Sequence, residues 1–173
     1  CSNTIKAMGV TGLANPIGDP FYIDFVAHEI GHQFGADHTF NGTTLACSGS
    51  NRNQLTAMEP GSGSTIMAYA GICGEEDIQS NSDATFHAVS ISQIDTFVTS
   101  GGGASCNAIF LISNSDPTAN AGIDRNIPAS TPFQLVGSGT DSNGDTLSYQ
   151  WNQMDAGTAT TAATLGDDLT DNA

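Results

Sequence analysis

Positive charge is almost absent from this chain. Lysine and arginine number 3 against 18 aspartates and glutamates, a formal net charge of −15. Only Lys6, Arg52 and Arg125 could meet a phosphate backbone, which argues against a nucleic-acid partner. The acidity favours solubility and says little about substrate. No run of 18 apolar residues occurs, so no segment reads as a membrane-spanning helix. None of the four cysteines stands in a CxxC pair, which removes the usual thiolate zinc site. Repeats and low-complexity tracts are missing too. Apolar residues make up 38% of 173, enough for one packed domain or one and a part.

What is present is concentrated in eleven residues, from His28 to His38. They read HExxHxxGxxH. On a helix, residues four apart share a face, so His28 and His32 can aim two imidazole nitrogens at one point. Zinc accepts such nitrogens at about 2.0–2.1 Å. Glu29 sits at the edge of that face, in reach of an attacking water without being a ligand. Gly35 can take a left-handed conformation that ends the helix and returns His38 as a third ligand. Three protein ligands leave one position open, the arrangement of a catalytic rather than a structural zinc site. The remaining histidine, His87, has no partner at ligand spacing and reads as an ordinary helix or surface residue.

The flanking sequence predicts the elements that carry this motif. Asp19-Pro20 offers an N-cap and a proline at the first helical position, and the helix is expected over 20–34. Tyr22, Val26, Ile30 and Phe34 recur every four residues as an apolar stripe suited to packing. Residues 39–64, rich in Gly, Ser, Asn and Thr, read as a long loop over the site. Ser82 or Asp83 can cap a second helix over roughly 86–99, with Phe86, Val89, Ile94, Phe97 and Val98 as core contacts. Glu75-Glu76-Asp77 offers the oxygen ligands that Ca2+ takes, and a solvated loop is the simpler reading. Asn41-Gly42-Thr43 matches a glycosylation sequon. The start at Cys1, without an initiator methionine or signal peptide, predicts a fragment or processed product. Four cysteines fit an oxidising compartment and allow three pairings.

HExxHxxGxxH is the signature of the metzincin metallopeptidases, and a second mark of that group follows. Ser64-Thr65-Ile66-Met67-Ala68-Tyr69-Ala70-Gly71 resembles their methionine turn, with Met67 below the histidines. From Gly12 to Gly74 the chain most resembles the reprolysin-like branch of secreted bacterial proteins. It departs from that branch at Thr39, where reprolysins usually carry aspartate. The resemblance implies a secreted zinc endopeptidase acting on protein or peptide substrates through a zinc-activated water. In that reading Glu29 is general base, and His28, His32 and His38 bind one catalytic Zn2+. Tyr69 stabilises the tetrahedral intermediate, as in the astacin and serralysin branches. The reprolysin pattern also implies disulfides Cys1–Cys106 and Cys47–Cys73. Since metzincins place a large sheet-bearing subdomain before the zinc helix, residues 1–113 are expected to be the C-terminal part of such a domain.

Composition changes near residue 114. Asn114-Ser115-Asp116-Pro117 reads as a linker, and short alternating apolar runs follow, as in a β-sandwich. Residues 114–173 resemble the start of a PKD-type, immunoglobulin-like module lacking its last strands, with Trp151 in its core. The Asp141-Ser142-Asn143-Gly144-Asp145 stretch reads as a turn. The fold class expected is therefore α+β, followed by a truncated all-β sandwich. Two other functions compete with the peptidase: a noncatalytic surface or adhesive protein with a vestigial zinc domain, and a zinc hydrolase of non-peptide substrates. Intact Glu29 argues against the first and the methionine turn against the second.

Overall fold

In the computed structural model, the structure describes residues 9–106, 108–110, 112–159 and 161. Among these residues the fold is α+β, with few helices and one two-stranded sheet. It forms two compact units. The first comprises the described residues up to Cys106 together with those from Asn152 onward, and the second is Ala108–Trp151. Composition assigns residues 152–159 to the second domain, whereas their contacts lie in the first unit. A change in sequence pattern marks where a module begins, not where a later segment docks.

The motif helix is built in three consecutive pieces. These are α1 (Asp19–Phe21), a π-helical turn (Tyr22–Ala27) and α2 (His28–Gln33). Its N-cap is Gly18, at φ 83°, rather than Asp19, and Pro20 lies in the first turn. The expected stripe is not the packed face. Tyr22, Ile30 and Phe34 are 51%, 47% and 43% exposed. The packed face lies one residue along: Ile23 and Ala27 join the cluster of Ala36, Ile66 and Met67. Gly31 continues that face, and a Cβ there would collide with Met67 Sδ. Alanine and glycine are weak hydrophobic signals, so the sequence pattern favoured the bulkier stripe beside them.

The helix ends as the motif requires. Gly35 sits at φ 86°, with Gly35 N donating to His32 O and Ala36 N to Gly31 O, both at 3.0 Å. These two bonds form a Schellman cap, which only a residue at home in the left-handed region closes without strain. A second helix, α3 (Ala88–Thr99), packs Ile94 against the Met67 cluster. Phe86 joins it from just ahead of the helix. The cap of α3 corrects two expectations. Neither Ser82 nor Asp83 caps it; His87 does, its Nδ1 accepting from Val89 N at 3.2 Å. His87 is also 2% exposed rather than a surface residue.

The 39–64 stretch is packed interior more than a covering loop. Thr39, Phe40, Asn41, Cys47, Ala57, Glu59 and Ser62 are all buried, and Cys47 is joined to Cys73. Two buried carboxylates do there what a sheet ladder does elsewhere. Glu59 Oε1 accepts from the hydroxyls of Thr39 and Thr65, both at 2.5 Å. Its Oε2 accepts from Ser64 N at 2.8 Å and Thr65 N at 3.0 Å. Glu76 Oε2 accepts from Thr43 N and Thr44 N, each at 2.6 Å, and from Thr44 Oγ1 at 2.7 Å. Glu76 is thus fully buried rather than part of a solvated loop. Short polar residues suit this packing because each brings a donor and little bulk.

The second unit pairs β1 (Thr118–Asn120) with β2 (Ser138–Thr140) antiparallel, Ala119 opposite Gly139. These are its only paired strands among the described residues. Leu147 and Tyr149 lie against Gly139, and Trp151 against Gly137, so the alternation of that run is kept. Trp151 is nevertheless 50% exposed, not a core residue, since no second sheet covers it among the described residues. Asp141 Oδ1 accepts from Asn143 N and Asp145 N at 2.8 and 3.1 Å, which closes the expected turn.

Replacing Glu59 by alanine would strand several buried donors. Hydrogen bonds to a charged group contribute about 1.5–3 kcal/mol each, and breaking such a network costs about 3 kcal/mol or more. Glu59→Ala is expected to lower the unfolding free energy by that amount, read from the urea midpoint at constant m-value.

Candidate metal centre

The three histidines of the motif converge. His38 Nε2 lies 3.2 Å from His28 Nε2 and 3.0 Å from His32 Nε2. Among the described residues this is the one group of three or more His, Cys, Asp or Glu side chains that could hold a metal ion. Two imidazoles come from successive turns of α2, and the third returns after the Gly35 cap.

Each ring is oriented through its other nitrogen. His28 Nδ1 donates to Ile66 O at 2.6 Å, His32 Nδ1 to Ala36 O at 2.7 Å, and His38 Nδ1 to Asn51 O at 2.6 Å. A carbonyl oxygen can only accept, so all three protons sit on Nδ1 in the neutral rings. The His38 Nε2 lone pair then faces those of His28 and His32 at 3.2 and 3.0 Å, a repulsive arrangement unless a cation stands among them. Tetrahedral zinc with nitrogens at about 2.0–2.1 Å would set them about 3.3–3.4 Å apart. The observed separations, the all-imidazole donor set and the carbonyl partners fit that ion.

Burial holds His28 and His38 neutral. It pushes the His28 and His38 pKa values down to about 4, more than their hydrogen bonds to Ile66 and Asn51 raise them. Ligation needs an unprotonated nitrogen, so this environment suits a metal site.

Met67 is completely buried, packed against Gly31 of the motif helix. Its turn serves the site through the main chain, for Ile66 O orients His28 and Met67 O accepts from Thr39 N at 3.2 Å. Tyr69 is half-buried, its ring 4.5 Å from that of His38 and 5.5 Å from that of His28. Burial and then the charge of Glu29 raise its pKa, so the phenol keeps its proton at neutral pH. Glu29, on α2 beside His28, is partly exposed. Among the expected disulfides, Cys47–Cys73 is present; Cys106 is disulfide-bonded, and Cys1, its expected partner, lies outside the described residues.

Several contributors carried no sequence signal. The carbonyls of Ala36, Asn51 and Ile66 do their work whatever side chain they bear. Gln93 on α3 grips Asp37 twice: Asp37 N donates to Gln93 Oε1 at 2.9 Å, and Gln93 Nε2 donates to Asp37 Oδ2 at 2.8 Å. Asp37 stands between Ala36, which orients His32, and the ligand His38. A lone glutamine on an amphipathic helix gives no hint of that role.

With this geometry in view, the comparisons are specific. Residues 1–100 match the model of the Metallo-peptidase family M12B Reprolysin-like. The chain belongs to that family, whose members are zinc-dependent. No curated protein and no solved structure matches the chain.

Two outcomes are expected. The folded pKa values of His28 and His38 lie below the unfolded value of 6.5, so the unfolded state binds more protons between them. Metal-free protein should therefore lose stability as pH falls from about 6.5 towards 4, seen as a falling urea midpoint. Gln93→Ala should weaken zinc binding about tenfold, the lower end for a partner behind the ligands, in a chelator competition.

Proposed function

We propose that this chain carries the zinc site of a secreted endopeptidase that hydrolyses protein or peptide substrates. The observation that carries the reading is the convergence of three imidazoles beside Glu29, in a chain of the M12B reprolysin-like family. His28, His32 and His38 hold the ion. Bound zinc would supply Lewis-acid polarisation of the scissile carbonyl and acidify a water at its open position.

The rest of the chemistry belongs to the chain. Glu29 takes a proton from the attacking water and passes it to the leaving amine. Tyr69, kept protonated by its surroundings, donates a hydrogen bond to the oxyanion as the tetrahedral intermediate forms. Buried Met67 packs against Gly31, between the two ligands that α2 carries. Extracellular residence is supported by the Cys47–Cys73 disulfide, a bond that persists in oxidising compartments. Residues 114–173 are read as a PKD-type, immunoglobulin-like spacer or anchor. The β1–β2 pair and the alternating contacts of Leu147, Tyr149 and Trp151 are compatible with that reading.

Glu29→Gln keeps the shape of the side chain and removes its basicity. It is expected to bind zinc as the parent does and to cleave an unspecific protein substrate about 10²–10⁴ times more slowly. Full cleavage by the variant would remove Glu29 from the mechanism. Zinc binding without cleavage in the parent would favour the adhesive alternative.

A further inference from the structure

Asn152–Thr158 follows the second unit in sequence, yet it is bonded to the unit that carries the histidines. Asn152 Oδ1 accepts from Ala88 N at 3.2 Å, at the start of α3. The His87 ring is hydrogen-bonded to the main chain of Gln153. Further along, Gly157 N donates to Ala57 O at 3.0 Å, and Gly157 O accepts from Arg52 Nη2 at 2.7 Å. Thr158 O accepts from Asn41 Nδ2 at 2.7 Å. Arg52 also donates through Nε and Nη2 to Asn41 Oδ1, at 3.0 and 2.5 Å. One guanidinium therefore ties Gly157 to Asn41.

These anchors fall on the stretch that orients the third ligand. Asn51, next to Arg52, supplies the carbonyl for His38 Nδ1 at 2.6 Å. Thr56, next to Ala57, donates its hydroxyl to His38 O at 2.6 Å. Asn41 lies three residues beyond His38 on the same loop. The 51–57 stretch is otherwise made of short turns, and Leu55 at its tip is 82% exposed. Such a segment holds an imidazole steady only if something holds the segment. The planar, multiply donating guanidinium suits that task better than an ammonium would.

We propose that Asn152–Thr158 is a strap that positions His38 through Arg52, so that residues following Trp151 complete the metal centre of the first unit. Arg52 is a positioning residue, touching neither the metal nor the substrate. The inference rests on the zinc reading above. It also gives the chain between the units a consequence: tension or cleavage between Trp151 and Asn152 would reach the third ligand.

The test compares the full chain with Arg52→Gln, with a chain ending at Trp151, and with both changes together. Zinc affinity is measured by chelator competition, the ligand field by the visible spectrum of the Co(II) form, and melting temperature alongside. Hydrogen exchange of residues 51–57 is followed in the metal-free proteins. Arg52→Gln and the shortened chain should each bind zinc about tenfold or more weakly, with an altered cobalt spectrum. The combination should be no weaker than the weaker single change, because both cut the same link. A lower melting temperature with unchanged affinity and cobalt spectrum would overturn the strap and leave the segment a mere stabiliser. If the full chain binds no zinc, the zinc reading fails and exchange alone decides. Faster exchange at 51–57 in Arg52→Gln would then support the strap, and unchanged protection would overturn it.

Discussion

Three imidazole lone pairs pointing at one another is the constraint on which the first unit is organised. Neutral rings do not choose that arrangement, and burial denies His28 and His38 the protons that would otherwise relieve it. The chain enforces it with one carbonyl behind each ring. Those carbonyls come from three places: the methionine turn, the end of the zinc helix and the 51–57 segment. Those three segments are therefore answerable to the same point, and a shift in any of them turns a ligand.

Holding three distant carbonyls in register is difficult in a segment so rich in glycine and serine. Buried carboxylates do much of it. Glu59 joins Thr39, just after the third ligand, to Ser64 and Thr65, just before the methionine turn. Glu76 does the same for Thr43 and Thr44. A carboxylate accepts several hydrogen bonds at once and needs no periodic partner strand. The Cys47–Cys73 disulfide ties the same region covalently. The absence of a sheet in this unit, among the described residues, is matched by this density of charge-assisted bonds.

Acidity, disulfide bonding and a reprolysin-like zinc site describe a consistent protein. With so few cations, Arg52 stands out less for its charge than for the number of carbonyl groups it gathers. Its neighbours connect the end of the described chain to the third ligand. A module placed after a catalytic unit is usually read as a spacer; here the segment after it reaches back.

The sequence by itself determined the ligand set, the general-base candidate and the reversal at Gly35. Each depends on residue type at fixed spacing along one helix and its cap, and local geometry follows from local sequence. The cysteine pairing Cys47–Cys73 came from resemblance and not from spacing. The tertiary structure decided the rest. It chose the Ile23–Ala27–Gly31 face over the bulkier stripe, because room for Met67 mattered more than side-chain size. It buried His87 and Glu76, residues whose type predicts exposure, by supplying partners from far along the chain. It set Gln93 on Asp37 across 56 residues and Gly157 on Arg52 across 105. A hydrogen bond to a backbone carbonyl leaves no mark in the sequence, so the devices that aim the rings could be read only from the folded chain.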